Sequence, residues 1–581
     1  MNRSQHLFAK GRARTGGQNT SPVIQDMLRN GLRHHQAGRL NEAERIYRQI
    51  LAIDIHHADS LHLLGMVAYQ AAGHEIAVEL ICRAIAINPA EAAYHSNLGT
   101  VFQSQGRLEE AAASYERAVI LRPDLAEAHY NLGNVLYEQD RWEDAAACYQ
   151  HALVLRPGLA EAHYNLGNAL QAQDKFVEAV ACYERALALQ PEKYEARHNL
   201  GNALQALGKL EDAMACYEQV LNVQPGYARA HYSAGCLLHA LGNLDDALVQ
   251  YRLARALQPD LAQAGFSESL AQLLQGEFAA GWQNFEWRWQ TKDHDTPMRA
   301  YPQPLWAGEK LASGRLLIWR EQGVGDEIMF AGLIPDVIRT GNRCVLDCDA
   351  RLKPLFTRSF PGIEVVSGNL AGQAPENDPE LEIAAHLPSG SLPGLFRASN
   401  AAFAATTSHY LVADPVARER FRSMYSNGRR LIGLAWHTNN RKTGRDRSID
   451  LSLLAPLFAR PDIQWVSLQY GDHDVLENQL EKQAAVAGSP IFIDRSVNQF
   501  LDIDTFAAQI AAMDMVVTID NSTAHLAGAL GVPTCVLLPF APDWRWLQAR
   551  EDSPWYPTLR LFRQPKRGDW QSVVQRVQSA L

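Results

Sequence analysis

A repeat with a period of 34 residues runs through the first half of the sequence and constrains the fold more than any other feature. Proline recurs at this interval from Pro89 to Pro259, and tyrosine recurs from Tyr115 to Tyr251. Glycine recurs at Gly31, Gly65, Gly99, Gly133, Gly167, Gly201 and Gly235. A period in this range predicts stacked copies of one small supersecondary unit.

Each copy predicts two amphipathic helices, the first centred on a motif such as NLGN and the second on a motif such as EDAAACYQHAL. A glycine inside a helix costs about 1 kcal/mol relative to alanine. Its recurrence in the first helix therefore indicates that the neighbouring helix passes too close for a side chain. With a proline that ends each second helix, the unit resembles the tetratricopeptide repeat and predicts an α-solenoid with a concave inner surface.

Seven units are predicted between residues 24 and 261, followed by a degenerate unit near 262–290. In this last unit Trp282, Trp287 and Trp289 replace the usual pattern. We interpret it as a cap or as a junction with the next domain.

Asparagine forms a ladder at the repeat period, at Asn97, Asn131, Asn165 and Asn199. An amide side chain can pair with a peptide backbone of any sequence. The ladder resembles the one that holds acceptor polypeptide in the repeat arm of protein O-GlcNAc transferases. Asparagine is also common at this position in ordinary repeats, so peptide gripping and consensus filling both stay open.

Composition excludes several classes of protein. A chain of 581 residues, with 47% apolar and 20% charged residues, predicts about three or four globular domains. A net charge of −10 argues against a dedicated nucleic-acid binder. No apolar run approaches the roughly 18 residues of a membrane span, and residues 1–22 predict a flexible lead-in without the apolar core of a secretory signal.

The eight cysteines favour a reducing compartment. None of them forms a CxxC pair, and Cys148, Cys182 and Cys216 follow the repeat period. We interpret them as small buried residues of the repeat. Together with the missing export signal, this predicts a cytoplasmic protein.

The second half alternates short apolar runs with segments long enough for helices. The runs lie at 316–319, 344–347, 363–366, 431–436, 465–468, 515–519 and 534–538. This alternation predicts an α/β module of two doubly wound parallel sheets, with a boundary near 414–422. The predicted domains are the lead-in (1–22), the repeat solenoid (23–295) and two Rossmann-like halves (296–415 and 416–581).

Three of these runs end in polar residues, and in open α/β sheets ligands bind at the carboxyl ends of strands. The first run leads into EQGVGDEI, which contains Gly325 and Asp326. The run at 431–436 leads into a basic loop that contains Lys442 and Arg447. The run at 515–519 leads into DNSTAH, which supplies Asp520, Asn521, Ser522 and His525.

The DNSTAH stretch predicts a diphosphate site. A helix that begins there presents free backbone N–H groups and a positive end to an anion. The small side chains of Asn521 and Ser522 let a phosphate come close, and His525 can donate a further hydrogen bond. A plain helix cap at Asp520 or Asn521 is the alternative interpretation.

The GVGDEI turn and the DNSTAHLAGALGVPT stretch are similar to the two signature regions of heptosyltransferase-like glycosyltransferases, glycosyltransferase family nine. The resemblance covers roughly residues 310–580 and extends to bacterial proteins that fuse tetratricopeptide repeats to this domain. It implies the GT-B fold, a nucleotide-sugar donor and an inverting transfer in one displacement, with the first half on the acceptor side and the second half on the nucleotide-sugar side.

The resemblance also implies residue roles. Asp326 matches the proposed general base, Asp520 the aspartate near the donor sugar, and His525 the histidine at the diphosphate. Asn521 and Ser522 stand where the family usually has threonine and glycine, which leaves the identity of the donor open. Lys442 or Arg447 would neutralise the leaving diphosphate, and the sequence does not choose between them.

Gln469 and the pair Asp347 and Asp349 are further candidates for the site. Gln469, which closes the run at 465–468, is a candidate nucleotide contact, and a solvated strand end is the alternative. Asp347 and Asp349 spell the D-x-D motif of metal-dependent glycosyltransferases, yet they follow a different strand from the proposed phosphate loops. We therefore expect no metal and no cofactor.

The sequence thus predicts a glycosyltransferase whose repeat arm recruits an acceptor, either a protein or a glycan. Protein partners in the repeat groove are expected, and nucleic acid and membrane spans are not. The alternative is a scaffold for protein assembly whose enzyme-like half is inactive.

Overall fold

The computed structural model describes residues 21–291, 296–368, 382–438, 444–471 and 491–581. The chain divides into two compact units, Met1–Pro225 and Gly226–Leu581. The predicted lead-in lies largely outside the described residues.

The first unit consists of six helical pairs. The first helices of the pairs are α1 (Pro22–Gln36), α3 (Ala58–Gln70), α5 (Ala92–Ser104), α7 (Ala126–Glu138), α9 (Ala160–Ala172) and α11 (Tyr194–Ala206). The second helices are α2 (Leu40–Ile53), α4 (His74–Ile87), α6 (Leu108–Leu121), α8 (Trp142–Leu155), α10 (Phe176–Leu189) and α12 (Leu210–Val223). Every pair has the predicted order, with the helix that carries the periodic glycine first.

The periodic glycines lie where the two helices of a pair meet. A Cβ atom at Gly167 would approach a ring carbon of Tyr183 to 2.6 Å, and one at Gly133 would approach Tyr149 to 2.7 Å. Both tyrosines are buried. The prediction that the neighbouring helix leaves no room for a side chain is therefore confirmed.

Two more helical pairs belong to the second unit. They are α13 (Ala228–Ala240) with α14 (Leu244–Leu257), and α15 (Ala262–Gln275) with α16 (Phe278–Phe285), which a 3₁₀ helix at Glu286–Gln290 extends. By compactness the chain thus divides at 225/226, seventy residues before the predicted start of the first Rossmann-like half.

The last pair is a junction, which is one of the two alternatives that the sequence allowed. The indole N–H of Trp282 donates to the carbonyl of Arg397 at 3.0 Å. The same ring packs edge-on against Trp544, with 5.3 Å between ring centroids. Trp287 covers Gly265, where a Cβ would lie 2.7 Å from the indole, and so replaces the tyrosine of an ordinary repeat.

The first sheet contains β1 (Arg315–Trp319), β2 (Cys344–Asp347), β3 (Glu364–Val366) and β4 (Ile383–Pro388). Its order is β3-β2-β1-β4, and every pairing is parallel. The accompanying helices are α17 (Val324–Ala331), α18 (Ile334–Arg339), α19 (Lys353–Ser359) and α20 (Leu392–Phe396). Leu317 pairs with Val345 on one side and with His386 on the other.

The second sheet contains β5 (Arg430–Ala435), β6 (Ile463–Ser467), β7 (Met515–Ile519), β8 (Thr534–Leu538) and β9 (Leu559–Arg563). Its order is β6-β5-β7-β8-β9, again all parallel. The helices of this half are α21 (Pro415–Tyr425), α22 (Gly444–Arg447), α23 (Ala455–Phe458), α24 (Ile503–Ala511), α25 (Ser522–Ala529) and α26 (Trp570–Ala580).

The prediction of two parallel sheets is confirmed, and all seven predicted strands are present. β4 and β9 are additional strands that the search for apolar runs missed. Within the described ranges, no helix has both the length and the apolar character needed to cross a membrane.

Candidate functional site

Charged residues from the carboxyl ends of four strands come together in the second unit. Asp326 lies in the first turn of α17, after β1, and Arg447 closes α22, after β5. Asp520 follows β7, whereas Asp543 and Arg545 follow β8. This is the edge of a parallel sheet at which ligands bind in open α/β folds.

The five residues form one chain of alternating charge. Arg545 pairs with Asp326 and, at 2.6 Å, with Asp543. Arg447 lies 3.3 Å from Asp543 and 3.1 Å from Asp520. We call Asp326, Arg545, Asp543, Arg447 and Asp520 the charge chain. Asp326 belongs to the first Rossmann-like half (296–415), and the other four residues belong to the second (416–581). The charge chain therefore joins the two Rossmann-like halves.

The Asp326 carboxylate has two partners. One oxygen accepts from the backbone N–H of Gly323 at 3.1 Å and so caps α17, and the other pairs with Arg545. The side chain is 19% exposed. It is thus held at a defined position and still reachable.

Burial and the two arginines set the charge state of the other carboxylates. Burial raises the pKa of Asp520, and Arg447 opposes that effect. Burial also acts to raise the pKa of Asp543, but Arg545 and Arg447 outweigh it and hold this pKa at about 2. Asp543 is therefore ionised, and the charged form of Asp520 is less favoured than that of Asp543.

His525 lies beside the charge chain as a neutral ring. Burial, with a contribution from Arg545, lowers its pKa to about 3. The ring stacks on Trp546 with 5.2 Å between centroids, and Nδ1 lies 2.9 Å from the Tyr556 hydroxyl. A neutral imidazole carries one N–H, and it donates from Nε2 when the Tyr556 hydroxyl donates to Nδ1.

Gly325 allows the helices of the two halves to approach each other. A Cβ at this position would lie 3.3 Å from Cδ2 of His525 and 3.8 Å from the Cα of Ser522. Three of the predicted donor-site residues, one from the first half and two from the second, therefore meet. Ser522 is half-buried at this contact.

Asn521 caps α25. Its Oδ1 accepts from the backbone N–H groups of Thr523 and Ala524, at 3.0 and 3.3 Å. Its Nδ2 atom is buried and has no hydrogen-bond partner among the described residues, and the same is true of the Thr523 hydroxyl. The residue thus has the structural role of a cap and retains a donor for an anion.

Gln469 bridges two strand ends. Its Oε1 accepts from the N–H groups of Trp436 and His437, at 2.9 and 2.8 Å, and its Nε2 donates to the carbonyls of His437 and Tyr470. The nucleotide contact at Gln469 stays a prediction. Lys442, the other candidate phosphate ligand, lies outside the described residues, as does most of the basic loop.

The asparagine ladder is tied into contacts between successive repeats. Asn165 donates to Asn134 at 2.9 Å, Asn199 donates to Asn168 at 2.8 Å, and Asn97 lies 2.8 Å from Nε2 of His62. Asn131 occupies the equivalent position in α7 and is partly exposed. These bonds support the consensus interpretation, and peptide gripping stays a prediction.

The D-x-D aspartates are paired with arginines. Asp347 lies 2.7 Å from Arg299, and Asp349 lies 2.8 Å from Arg351 and 3.3 Å from Arg320. The two arginines beside Asp349 disfavour the binding of a metal cation there. The expectation of a metal-independent protein remains untested.

Asp543 and Arg545 are the site residues that the sequence analysis missed. They follow the apolar run at 534–538, so the rule that selected the other strand ends also applies to them. The tryptophans beside Arg545, Trp544 and Trp546, are buried.

Comparison with known proteins identifies the repeats. Models of the TPR repeat and the tetratricopeptide repeat match residues 101–140, 133–174, 160–193 and 198–262. The helical pairs within residues 101–262 are therefore tetratricopeptide repeats.

The chain is also similar to protein FlbA of Caulobacter vibrioides. The two are 31% identical over 332 residues, which cover 54% of this chain and 54% of FlbA. The chain thus spans about half the length of the curated relative that it matches.

Solved repeat proteins resemble parts of the chain. YrrB, described as a TPR protein with an unusual peptide-binding site, is 29% identical, covers 33% of this chain and all of its own, and has a TM-score of 0.30. PilF of Pseudomonas aeruginosa is 23% identical, with 36% and 94% coverage and a TM-score of 0.32. At these scores the likenesses carry no argument about function.

Proposed function

We propose that residues 296–581 form a GT-B glycosyltransferase that transfers a sugar, with inversion, from a nucleotide-sugar donor to an acceptor that the repeats recruit. The observation that carries the proposal is the charge chain, in which strand ends of both parallel sheets meet. The resemblance to heptosyltransferase-like sequences and the tetratricopeptide repeats support the two parts of it.

The second half supplies the groups for a diphosphate. Arg447 places a guanidinium beside the beginning of α25, where Asn521 holds an unused amide donor and Ser522 is half-buried. Burial would lower the pKa of Arg447, but Asp520 and Asp543 raise it above its ordinary value. A fixed cation of this kind stabilises the charge that develops on a leaving diphosphate.

Asp326 supplies the base in this proposal. Its carboxylate takes the proton of the acceptor hydroxyl while the hydroxyl oxygen attacks the anomeric carbon. The bond from that carbon to the diphosphate oxygen breaks, and the nucleoside diphosphate leaves with the electron pair. The proton remains on Asp326, and no covalent enzyme intermediate forms.

Arg545 links donor binding to the base. It pairs with Asp326 and with Asp543, so the base is ion-paired as long as Arg545 stays in place. A diphosphate offers arginine charge-assisted, two-pronged hydrogen bonds. A donor that draws Arg545 toward its phosphates frees the Asp326 carboxylate for the acceptor.

Replacement of Asp326 by asparagine tests the role of the base. Asparagine keeps an oxygen that can accept from Gly323 and cap α17, but it cannot take a proton. We expect the rate of sugar transfer to fall by a factor of about 100 or more, while the donor affinity measured by calorimetry changes little.

Asp349→Asn is the matched control. Asp349 also follows a strand of the first sheet and is also paired with arginines. Its replacement should leave transfer intact, because the proposal gives the D-x-D motif no role. Normal transfer by the Asp326 variant would remove that residue from the mechanism.

A catalytically inactive scaffold is the second candidate. The observation in its favour is that both oxygens of Asp326 already have partners. This candidate expects neither transfer nor donor binding from the unaltered chain, and binding of partner proteins by the repeats alone.

A further inference from the structure

A buried arginine–glutamate pair connects the last helical pair and its 3₁₀ extension (262–290), which we call the terminal repeat, with the turn that carries Asp326. Arg288 lies in the 3₁₀ helix at Glu286–Gln290, and Glu321 lies two residues after β1. Both side chains are 0% exposed. Nε of Arg288 donates to Oε2 of Glu321 at 2.8 Å, and Nη2 donates to Oε1 at 3.0 Å.

All five N–H groups of the Arg288 guanidinium have acceptors. Besides the two bonds to Glu321, Nη1 donates to the Phe285 carbonyl at 3.2 Å and to Glu286 at 2.9 Å, and Nη2 donates to the Ser391 hydroxyl at 2.8 Å. The ring centroid of Trp289 lies 4.3 Å from Cζ. A lysine would leave several of these acceptors without a donor.

The Glu321 carboxylate is also held by the turn that follows β4. Its Oε1 accepts from the Gly390 N–H at 2.6 Å, and a Cβ at Gly390 would come within 2.3 Å of that oxygen. The carboxylate therefore joins the terminal repeat to two strand ends of the first sheet. A fully satisfied polar network of this kind makes a buried region rigid.

This anchor comes just before a strained step in the chain. Gln322 has a φ of +64°, a backbone angle that residues other than glycine rarely adopt. The next residue, Gly323, donates its N–H to Asp326. The turn is thus fixed by Glu321 at its beginning and by Asp326 at its end.

We propose that the Arg288–Glu321 pair is a positioning device, through which the terminal repeat holds the turn at 321–326 and thereby the Asp326 carboxylate. A buried ion pair adds little stability over apolar side chains of similar size. The geometry therefore supports a role of the pair in fixing the conformation of this turn. The effect on turnover rests on the proposed function of Asp326, whereas the effect on the turn does not.

The test is hydrogen exchange of the full chain with R288M and E321L combined, which removes both charges together. We expect backbone amides of the 321–327 segment to exchange at least tenfold faster than in the unaltered chain, with the segment around β7 unchanged. Turnover should fall at least tenfold while the KM for the donor stays the same, because the base loses its position and the phosphate ligands do not.

The matched control combines R397M and D336L. Arg397 and Asp336 form another buried pair in the first half, at 2.9 Å, and neither residue contacts the 321–326 turn by a hydrogen bond that involves its side chain. This variant should exchange normally in the 321–327 segment, even if its melting temperature falls.

A second variant, R288K, covers the case in which the double variant does not fold. It keeps the buried charge and loses the two-pronged contact, and it should show the same local increase in exchange. Normal exchange of the 321–327 segment in R288K, or in a folded double variant, would overturn the inference. If the unaltered chain turns over no donor, the proposed function fails, and exchange alone decides the role of the pair.

Discussion

Arg545 is the residue that connects the proposed base, Asp326, with the proposed donor side of the site. It pairs with Asp326 from one half and Asp543 from the other, and its guanidinium carbon lies 4.5 Å from the ring centroid of Trp544. The neighbouring Trp544 and Trp546 are buried, and the arginine between them belongs to the charge chain. A pattern of residue types does not show which ion pairs form between two halves, so this contact required the structure.

The sequence predicted the other residues of the site more fully. The sequence predicts Asp326, Asp520 and His525, and Arg447 as an alternative to Lys442, because they follow buried strands, and in parallel sheets such positions lie along one edge. The structure brings Asp326, Arg447, Asp520 and His525 together.

The sequence left a cap and a phosphate donor both open at Asn521, because a polar residue at a strand end looks the same in either role. At Gln469 it predicted a nucleotide contact or a solvated strand end. The side chain is buried and bridges two strand ends, so it is not a solvated strand end.

Removal of the charge of Arg447 should weaken donor binding. In R447Q the side chain keeps donors but loses its charge, so we expect the donor dissociation constant from calorimetry to rise at least tenfold, or about 1.4 kcal/mol. The control is R422Q, because Arg422 pairs with Asp514 at 2.8 Å, at the other end of β7. An equal loss of donor affinity in both variants would contradict a specific role for Arg447.

Glu327 should make the stability of the second unit depend on pH. Burial raises its pKa from 4.5 to about 8. Between these values the folded chain holds a proton that the unfolded chain has released. The contribution of this group is therefore complete below pH 4.5 and is lost as the pH rises toward about 8.

The variant E327Q separates this effect from the other titrating groups. Its side chain stays neutral, so its melting temperature relative to that of the unaltered chain should rise between about pH 4.5 and about pH 8 and level off above that pH. Thermal unfolding of both proteins over this range measures the difference. Parallel curves would show that Glu327 titrates normally.

At the scale of elements, the repeat helices and the central strands were predictable, and two edge strands were not. The sheet orders place β4 and β9 at edges. β9 reads LRLFR, with an exposed Arg560 and a partly exposed Arg563. A search for continuous apolar runs passes over β9 because charged residues alternate with its apolar ones, and over β4 because His386 interrupts its apolar run. The edge strands β3 and β6 were predicted from the runs at 363–366 and 465–468.

The contact between a repeat glycine and the tyrosine of its partner helix should be measurable. Alanine favours a helix over glycine by about 1 kcal/mol, but in G167A its Cβ would clash with Tyr183. We expect the clash to prevail and to cost about 1–3 kcal/mol of stability, seen as a lower melting temperature.

The control for this change is G158A. Gly158 lies in the turn before α9 and has open space around the position of a Cβ. The substitution there should leave the melting temperature nearly unchanged. A more stable G167A variant would show that helix propensity, and not close packing, governs the repeat glycines.

At the scale of the whole molecule, the 34-residue period does not show where the second unit begins. The period continues to Pro259, yet the chain divides at 225/226. The reason lies in long-range contacts: Gln548 donates its backbone N–H to the Leu274 carbonyl at 2.8 Å, and its side chain donates to the Gly242 carbonyl at 3.3 Å. The last two repeats, at 228–257 and 262–290, which together we call the terminal repeats, therefore support the segment that carries Asp543 and Arg545.

These contacts join the terminal repeats to both loops of the proposed site. The 3₁₀ helix at Glu286–Gln290 holds the Asp326 turn, and the ends of α13 and α15 hold the segment after β8. A fragment that begins at residue 296 would lose both supports. The helical pairs of the second unit thus contribute to the proposed site itself, in addition to the recruitment of an acceptor that we propose for the repeats.

The proposal that residues 296–581 bind a nucleotide sugar is best tested by thermal unfolding of the full chain. Thermal unfolding with ADP-, UDP-, GDP- and CMP-sugars should show one class of donor that raises the melting temperature, since a ligand at 100 times its dissociation constant adds about 2.7 kcal/mol to the stability of the folded state. We expect R422Q to keep this shift and R447Q to lose most of it. If no nucleotide sugar in the panel changes the melting temperature, the chain does not bind a donor and the inactive scaffold is favoured.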